Sequence, residues 1–174
     1  MWDSTRSVQA RMRYILRRRE IVADDWRHLG EELAEGASVI VPLAELRVGA
    51  ARWAAWRGRL GVRLAPGDAP EDLAADLPRL NLVAVEFPNA GDGRGYSQGR
   101  LLRARLGFWG ELRAVGSGVK QDQVFLLARC GFDALELAPG EDVEAARRAL
   151  TRYSVAYQPG SAGVTAGRQR FFAS

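Results

Sequence analysis

The chain has 174 residues, of which 47% are hydrophobic and 26% charged, with a formal net charge of +4. This composition is typical of a folded globular domain and excludes disorder over most of the chain. A transmembrane helix is not predicted, because no stretch approaches the roughly 18 consecutive apolar residues that a span requires. The arginine-rich first 19 residues lack the apolar core of a secretory signal, so we predict a cytoplasmic location.

Cys130 is the only cysteine and His28 the only histidine. A single thiol cannot form an internal disulfide, which fits a reducing compartment, nor can it hold an iron–sulfur cluster, which takes about four thiolates. A histidine-based zinc site or a Ser-His-Asp triad would have to be built around His28 alone. We therefore predict no metal site and assign no cofactor.

The basic residues are spread along the chain. The sequence has 25 lysines and arginines against 21 acidic residues, and Lys120 is the only lysine. A surface that follows nucleic-acid phosphates needs these charges on one face. We predict that the protein does not bind nucleic acid; a nucleic-acid binder would instead show steep salt dependence.

The N-terminal part begins with a polar segment, 1–12, which we expect to be flexible. Tyr14–Leu16 and Glu20–Val22 follow as two short strands around an arginine-rich turn, and they predict a hairpin. A short helix is expected around Trp26–Leu33.

From residue 38 onward, apolar strands alternate with helical patterns. The predicted strands are Ser38–Pro42, Gly61–Leu64, Leu82–Phe87, Glu111–Val115 and Ala134–Leu137. The predicted helices are Leu43–Arg57, Asp68–Leu77, Tyr96–Leu106, Asp122–Cys130 and Glu141–Tyr153. This alternation predicts one α/β domain over 13–158, with a mostly parallel sheet of about five strands plus the N-terminal hairpin. An open sheet and a partial barrel both fit, and 159–174 is expected to be a flexible tail.

The loop after the predicted strand Leu82–Phe87 carries the most distinctive residues. Ligands of parallel α/β sheets bind outside the carboxyl ends of the strands. Three glycines at alternate positions allow close backbone approach, and they lead into a helix N-terminus that favours an anion. The predicted anion-binding residues are Asp92, Gly93, Arg94, Gly95, Tyr96, Ser97 and, one turn further, Arg100.

Two interpretations of this loop stay open. Arg94 could make a bidentate contact to an oxyanion, with Ser97 adding a hydroxyl donor. The segment is not a dinucleotide fingerprint, because Tyr96 stands where the third glycine belongs, and no P-loop Lys-Ser/Thr follows. The alternative is a tight turn in which Asp92 braces the backbone and Tyr96 packs on the sheet.

Three further residues could support such a site. Glu86 lies in an apolar strand, where it could transfer a proton or pair with an arginine such as Arg113. Asp122 follows a glycine loop, in the position of a helix cap rather than of a catalytic acid. The sequence identifies no catalytic residue.

Several blocks, in this order, resemble one bacterial family, domain-of-unknown-function family 934. They are Arg18–Trp26, Val39–Leu43, Leu60–Leu64, Val85–Pro88, Asp92–Ser97, Gly110–Gly116, Asp122–Gln123 and Arg129–Asp133. The resemblance covers about Tyr14 to Pro159. Members carry the label of an oxidoreductase of sulfite reduction, which rests on gene neighbourhood.

The resemblance implies a role in assimilatory sulfate and sulfite reduction beside the sulfite reductase haemoprotein. One hypothesis is an accessory protein that docks on that enzyme, for which an exposed apolar patch bearing tryptophan would be the sign. The second is a small enzyme that uses the Asp92–Ser97 and Gly116–Asp122 loops as a pocket containing Glu86, Arg94 and Arg113. The five tryptophans are compatible with a homo-oligomer.

Overall fold

The computed structural model describes residues 13–156, and side chains through residue 152. The ends for which flexibility is predicted, 1–12 and 159–174, lie outside the described residues. Within the described range, eight strands form one sheet: β1 Tyr14–Arg17, β2 Glu20–Ala23, β3 Trp26–His28, β4 Ser38–Pro42, β5 Leu60–Leu64, β6 Leu82–Glu86, β7 Glu111–Val115 and β8 Ala134–Leu135. The chain is therefore α/β, as predicted.

The sheet is mixed, with the order β2-β1-β8-β7-β6-β5-β4-β3. Strands β3 to β8 pair in parallel in this order. Strand β1 pairs antiparallel with β2 and also with β8, where Leu16 lies opposite Leu135. The predicted hairpin is thus confirmed, and it extends the parallel sheet at the β8 edge.

The prediction of about five sheet strands beside a separate hairpin is wrong. The sheet has eight strands because the hairpin joins it and because Trp26–His28, predicted as helix, is a strand. Two of the three β3 residues, Arg27 and His28, are polar, so this strand lacks the apolar run that marks the others. The polar side chain of His28 has a charged partner, Glu136, at 3.1 Å.

Five α-helices occur among the described residues: α1 Leu43–Val48, α2 Ala50–Ala54, α3 Arg94–Ala104, α4 Val124–Arg129 and α5 Val143–Ala156. The predicted helix Leu43–Arg57 is broken at Gly49, where the Trp53 indole lies so close that a Cβ would stand 2.9 Å from its Nε1. The predicted helix Asp68–Leu77 is instead two 3-10 turns, Pro70–Leu73 and Leu77–Arg79, each with proline in its first turn.

The sheet curls until its two edge strands approach each other. Strand β2 ends at Ala23 and β3 begins at Trp26, although the two strands stand at opposite ends of the strand order. Three residues of extended chain span at most about 11 Å. His28 of β3 also contacts Glu136, the residue after β8, at 3.1 Å. Of the two architectures left open by the sequence, the partial barrel is the one observed.

The curled sheet has two unequal faces. The outer face carries the main core, in which buried strand residues such as Val41, Val62 and Leu112 pack with helix residues such as Leu46 and Leu102. The inner face has a smaller apolar cluster, made of Trp26, Ile40, Leu82, Ala84 and Val115. At Gly61 an added Cβ would lie 3.1 Å from both Trp26 and Leu82, so this glycine leaves room for the indole. The other inner-face residues include the charged Arg17, Arg63, Glu111 and Arg113.

Candidate functional site

Arg113 lies at the centre of the charged inner face. Its side chain has no solvent exposure, and its Nη1 donates to both carboxylate oxygens of Asp24 at 3.0 Å. Its Nε and Nη2 donate to Glu111 Oε1 at 2.9 and 2.8 Å. Asp24 is equally buried and also accepts a hydrogen bond from the Trp26 backbone N–H at 3.2 Å. Removing one member of such a buried pair costs about 3–5 kcal/mol, because the other charge is left uncompensated.

Arg13 joins the start of the described chain to this cluster. Its guanidinium donates to Glu31 at 2.8 Å and to the Trp26 carbonyl at 2.8 Å. It also stands 3.5 Å from Asp24 and 3.8 Å from Glu136. One guanidinium therefore contacts β3 and also the residue after β8, which lie far apart in the strand order.

His28 and Glu136 form a half-buried pair across the interior. The Nε2 of His28 lies 3.1 Å from Glu136 Oε2, and the two side chains are 18% and 23% exposed. The carboxylate favours the tautomer that carries its proton on Nε2. No hydrogen bond involves Nδ1 within the described part of the chain, so in that tautomer it is an acceptor without a protein partner.

The Glu136 carboxylate is stabilised in its ionised form. Burial acts to raise its pKa, but the hydrogen bond from His28 and the charges of His28, Arg13 and Arg113 together lower it below the ordinary value of 4.5. Glu136 is therefore ionised at neutral pH.

Four of these inner-face side chains stand where the parallel strands end. His28 closes β3, Arg63 lies near the end of β5, Glu86 ends β6, and Glu136 directly follows β8. Arg63 and Glu86 approach to 3.6 Å, so Glu86 pairs with Arg63 and not with Arg113 as the sequence suggested. In the barrels of parallel strands, this carboxyl edge is where ligands bind. We call the four residues the mouth cluster.

The predicted anion-binding loop has a different local geometry. The Nε and Nη2 of Arg94 donate to Asp92 at 3.0 and 2.6 Å, and Asp92 also accepts from the Arg94 backbone N–H at 3.1 Å. These hydrogen bonds lower the pKa of Asp92 and raise that of Arg94. An anion would have to compete with Asp92 for this guanidinium.

The glycine and tyrosine of the loop serve close packing. A Cβ on Gly95 would lie 2.5 Å from the Phe87 ring, which explains the glycine without reference to a ligand. Tyr96 packs edge-on against the same ring, with centroids 5.1 Å apart. Burial, and then the nearby Cys130 and Asp122, raise the pKa of Tyr96. Gly93 has open space around it.

The Gly116–Asp122 loop, proposed as one wall of a pocket, packs on residues 87–90, which precede the Asp92–Ser97 loop. Gly118 donates its N–H to the Phe87 carbonyl at 2.8 Å, and Gln123 donates to the Ala90 carbonyl at 3.0 Å. A Cβ on Gly118 would lie 2.4 Å from the Asn89 carbonyl oxygen. The backbone at Gly118 therefore packs directly against the backbone of residues 87–89.

Three of the predicted residues lie at the surface near these loops. Ser97 and Arg100 are exposed on α3. Asp122 is exposed in the 3-10 turn Gln121–Gln123 and makes no cap hydrogen bond. The structure therefore brings Glu86 and Arg113 to the inner face and leaves the loop residues outside it.

Sequence reasoning missed several residues of the inner face, among them Arg13, Asp24, His28, Arg63, Glu111 and Glu136. The available indication was charge at alternate positions of apolar strands, as at Glu111 and Arg113, because alternate residues share one face. Residues 13–152 contain no group of three or more His, Cys, Asp or Glu side chains placed to hold a metal ion. No helix in the described chain is long and apolar enough to cross a bilayer.

The lowered pKa of Glu136 yields a pH-dependent prediction. A carboxyl whose pKa is depressed by folding contributes stability above its unfolded pKa, about 4.5, and loses it as the pH falls through the folded pKa. Glu136→Gln should therefore lower the free energy of unfolding by about 1–3 kcal/mol near neutral pH, and by less below about pH 4. Urea denaturation at several pH values measures this.

The control is Glu71→Gln, at an exposed glutamate without an ion pair in the described structure. It should change the unfolding free energy by less than about 0.5 kcal/mol. A loss in Glu136→Gln that stays constant down to acidic pH would contradict the assignment.

Comparison with known proteins assigns a family. Curated proteins and solved structures give no significant match. The model of a family described as "Bacterial protein of unknown function (DUF934)" matches residues 61–166, more than half of the chain. This range contains β6 to β8, all but the first residue of β5, and the loops between these strands. The chain belongs to this bacterial family, DUF934.

Proposed function

We propose that the protein is a cytoplasmic accessory protein of assimilatory sulfite reduction that docks on the sulfite reductase haemoprotein. The proposal starts from the sulfite-reduction role that the resemblance implies, whereas the family match itself gives membership without a function. The structural observation that supports it is a tryptophan, Trp109, whose side chain is 60% exposed at the amino end of β7. Exposed tryptophans are strongly enriched among the residues that dominate binding energy at protein interfaces.

The backbone around Trp109 is held rigidly. Arg103 Nη1 donates to the carbonyl of Phe108 at 2.5 Å and to that of Gly110 at 2.9 Å, so one guanidinium fixes the residues on both sides. Phe108 is buried, and its ring lies beneath the Arg103 guanidinium at 5.7 Å. A Cβ on Gly110 would stand 2.4 Å from that ring. Little backbone entropy is left to lose when a partner binds, which favours Trp109 as an anchor.

The docking proposal predicts that Trp109→Ala abolishes partner recovery. Tagged wild-type protein should recover a sirohaem-bearing sulfite reductase from a native lysate of cells grown on sulfate. The variant should recover at least tenfold less, since loss of an anchor costs about 2 kcal/mol or more. Absorption spectra and immunoblots of the eluates measure the recovery.

Val48→Ala is the matched control, because Val48 is an apolar side chain that is 86% exposed on α1. It should recover the reductase as wild type does. Equal recovery by Trp109→Ala would contradict docking through Trp109, and no recovery by wild type would contradict the partnership itself.

The second candidate is a small enzyme that binds an oxyanion or a phosphate-bearing ligand at the Asp92–Ser97 loop. The feature that favours it is the exposure of Arg94, 64% for the side chain, beside the exposed Ser97 and Arg100 at the start of α3. An anion could draw the guanidinium from Asp92 and bind the first amides of the helix. Glu86 and Arg113, on the inner face, would not contact a ligand bound there, whereas Asp122 lies near Tyr96 of the loop.

Arg94→Ala tests this candidate. A charged hydrogen bond contributes about 1.5–3 kcal/mol, so the variant should bind sulfite or a nucleotide at least tenfold more weakly than wild type in calorimetric titrations. Arg105→Ala, at the other end of the same helix, should bind as wild type does. Unchanged affinity in Arg94→Ala would rule out a role for this guanidinium.

A further inference from the structure

We propose that the mouth cluster is a binding site for a small oxyanion, held by Arg63, that exchanges a proton with His28. The site lies inside the curled sheet, at the carboxyl ends of its parallel strands. It goes beyond the docking function, which uses Trp109 at the opposite end of β7, and it is separate from the Asp92–Ser97 loop.

His28 has the contacts of an acid–base group. One ring nitrogen is held by Glu136, and the other, Nδ1, has no hydrogen bond among the described residues. The backbone N–H of His28 is held by Glu31 at 3.2 Å, so the residue is fixed at both ends. At 18% exposure, the side chain is shielded from bulk water and still reachable by a small molecule.

Arg63 differs from the other arginines of the inner face, including Arg17, whose Nε lies 2.9 Å from Glu111 Oε2. Arg113 donates hydrogen bonds to Asp24 and Glu111. Arg13 donates to Glu31 and to a backbone carbonyl. The closest partner of Arg63 is Glu86 at 3.6 Å, beyond hydrogen-bond distance, and no hydrogen bond engages its guanidinium in the described part. Its planar set of N–H donors is therefore available to an oxyanion.

The register of the sheet places the two groups on one face. His28 lies beside Ile40, and Ile40 lies beside Gly61, two residues before Arg63. Residues two apart on a strand face the same side, and the inner side is fixed here by Trp26 against Gly61. Strand spacing and rise give a Cα separation of roughly 12 Å, which an arginine and an imidazole can span with a small anion between them.

The chemistry of the two groups defines the ligand class. The Arg63 guanidinium needs an acceptor, and Nδ1 of the Nε2–H tautomer needs a donor. A monoprotonated oxyanion offers both, with its oxygens on Arg63 and its hydroxyl on Nδ1. The proton then moves from the ligand hydroxyl to Nδ1, which leaves one more negative charge on the ligand and one positive charge on the imidazole.

The charges around His28 suit this exchange. Glu136 faces the ring from the end of β8, and Glu31 faces the backbone of β3. Arg13 and Arg113 lie 3.8 and 3.9 Å from the Glu136 carboxylate. Glu136 is a positioning residue, since it holds the tautomer and stabilises the imidazolium without touching the ligand.

Proton NMR gives a direct test, because His28 is the only histidine and its imidazole C–H resonances are unambiguous. Inorganic phosphate and sulfite are titrated separately into the full chain to millimolar concentration. We expect a saturable shift of the His28 resonances and a higher midpoint of their pH titration, since a bound anion favours the charged imidazole. A response to one anion or to both supports the site and identifies its ligand.

The variants separate this site from the others. Arg63→Gln should weaken the response at least tenfold, and Arg63→Lys, which keeps the charge without the planar fork, should fall between it and wild type. Arg94→Ala and Trp109→Ala should respond as wild type does, so failure here is distinguishable from failure of the proposed functions. Resonances that neither anion moves, or that move equally in Arg63→Gln, would overturn the proposal.

Discussion

Arg113 lies without solvent exposure between Asp24 and Glu111, and the shape of the sheet depends on this contact. Asp24 belongs to the connection between β2 and β3, the two edge strands, whereas Arg113 belongs to β7 inside the sheet. A buried guanidinium requires carboxylates on both sides, because either charge alone would be costly in the interior. The Asp24–Arg113 ion pair therefore holds the connection between the two edge strands against the inner face of β7, which keeps the sheet curled.

The curl decides which side chains can act together. It brings His28 of β3 to Glu136 after β8, although five parallel pairings separate these strands in the sheet. The mouth cluster consequently opens at the carboxyl ends of the strands, while Trp109 stands at the amino end of β7. A partner bound at Trp109 would leave the mouth accessible, so docking and small-ligand binding are compatible in one molecule.

The apolar strands and their alternation with helices could be predicted from the sequence. Strands that pack against the main core need apolar residues, and these appear as runs such as Ser38–Pro42 and Glu111–Val115. Strand β3 was not predicted, because its polar residue His28 contacts a partner far along the chain. Asp24 and Arg113 are 89 residues apart, and His28 and Glu136 are 108 residues apart. A local sequence pattern gives no information on such distant pairs. The sequence therefore directed attention to the glycine loop at Asp92–Ser97, where the structure shows that Gly95 makes room for the Phe87 ring.

A double-mutant cycle on Asp24 and Arg113 tests the curled sheet most directly. The variants are Asp24→Asn, Arg113→Met and the combination, with free energies of unfolding from urea denaturation. Each single variant should lose about 3–5 kcal/mol, and the double variant should lose less than the sum by about 1.5 kcal/mol or more, because removing the second charge relieves the first. Additive losses would show that the two residues do not meet, and they would contradict the interior on which the mouth cluster depends.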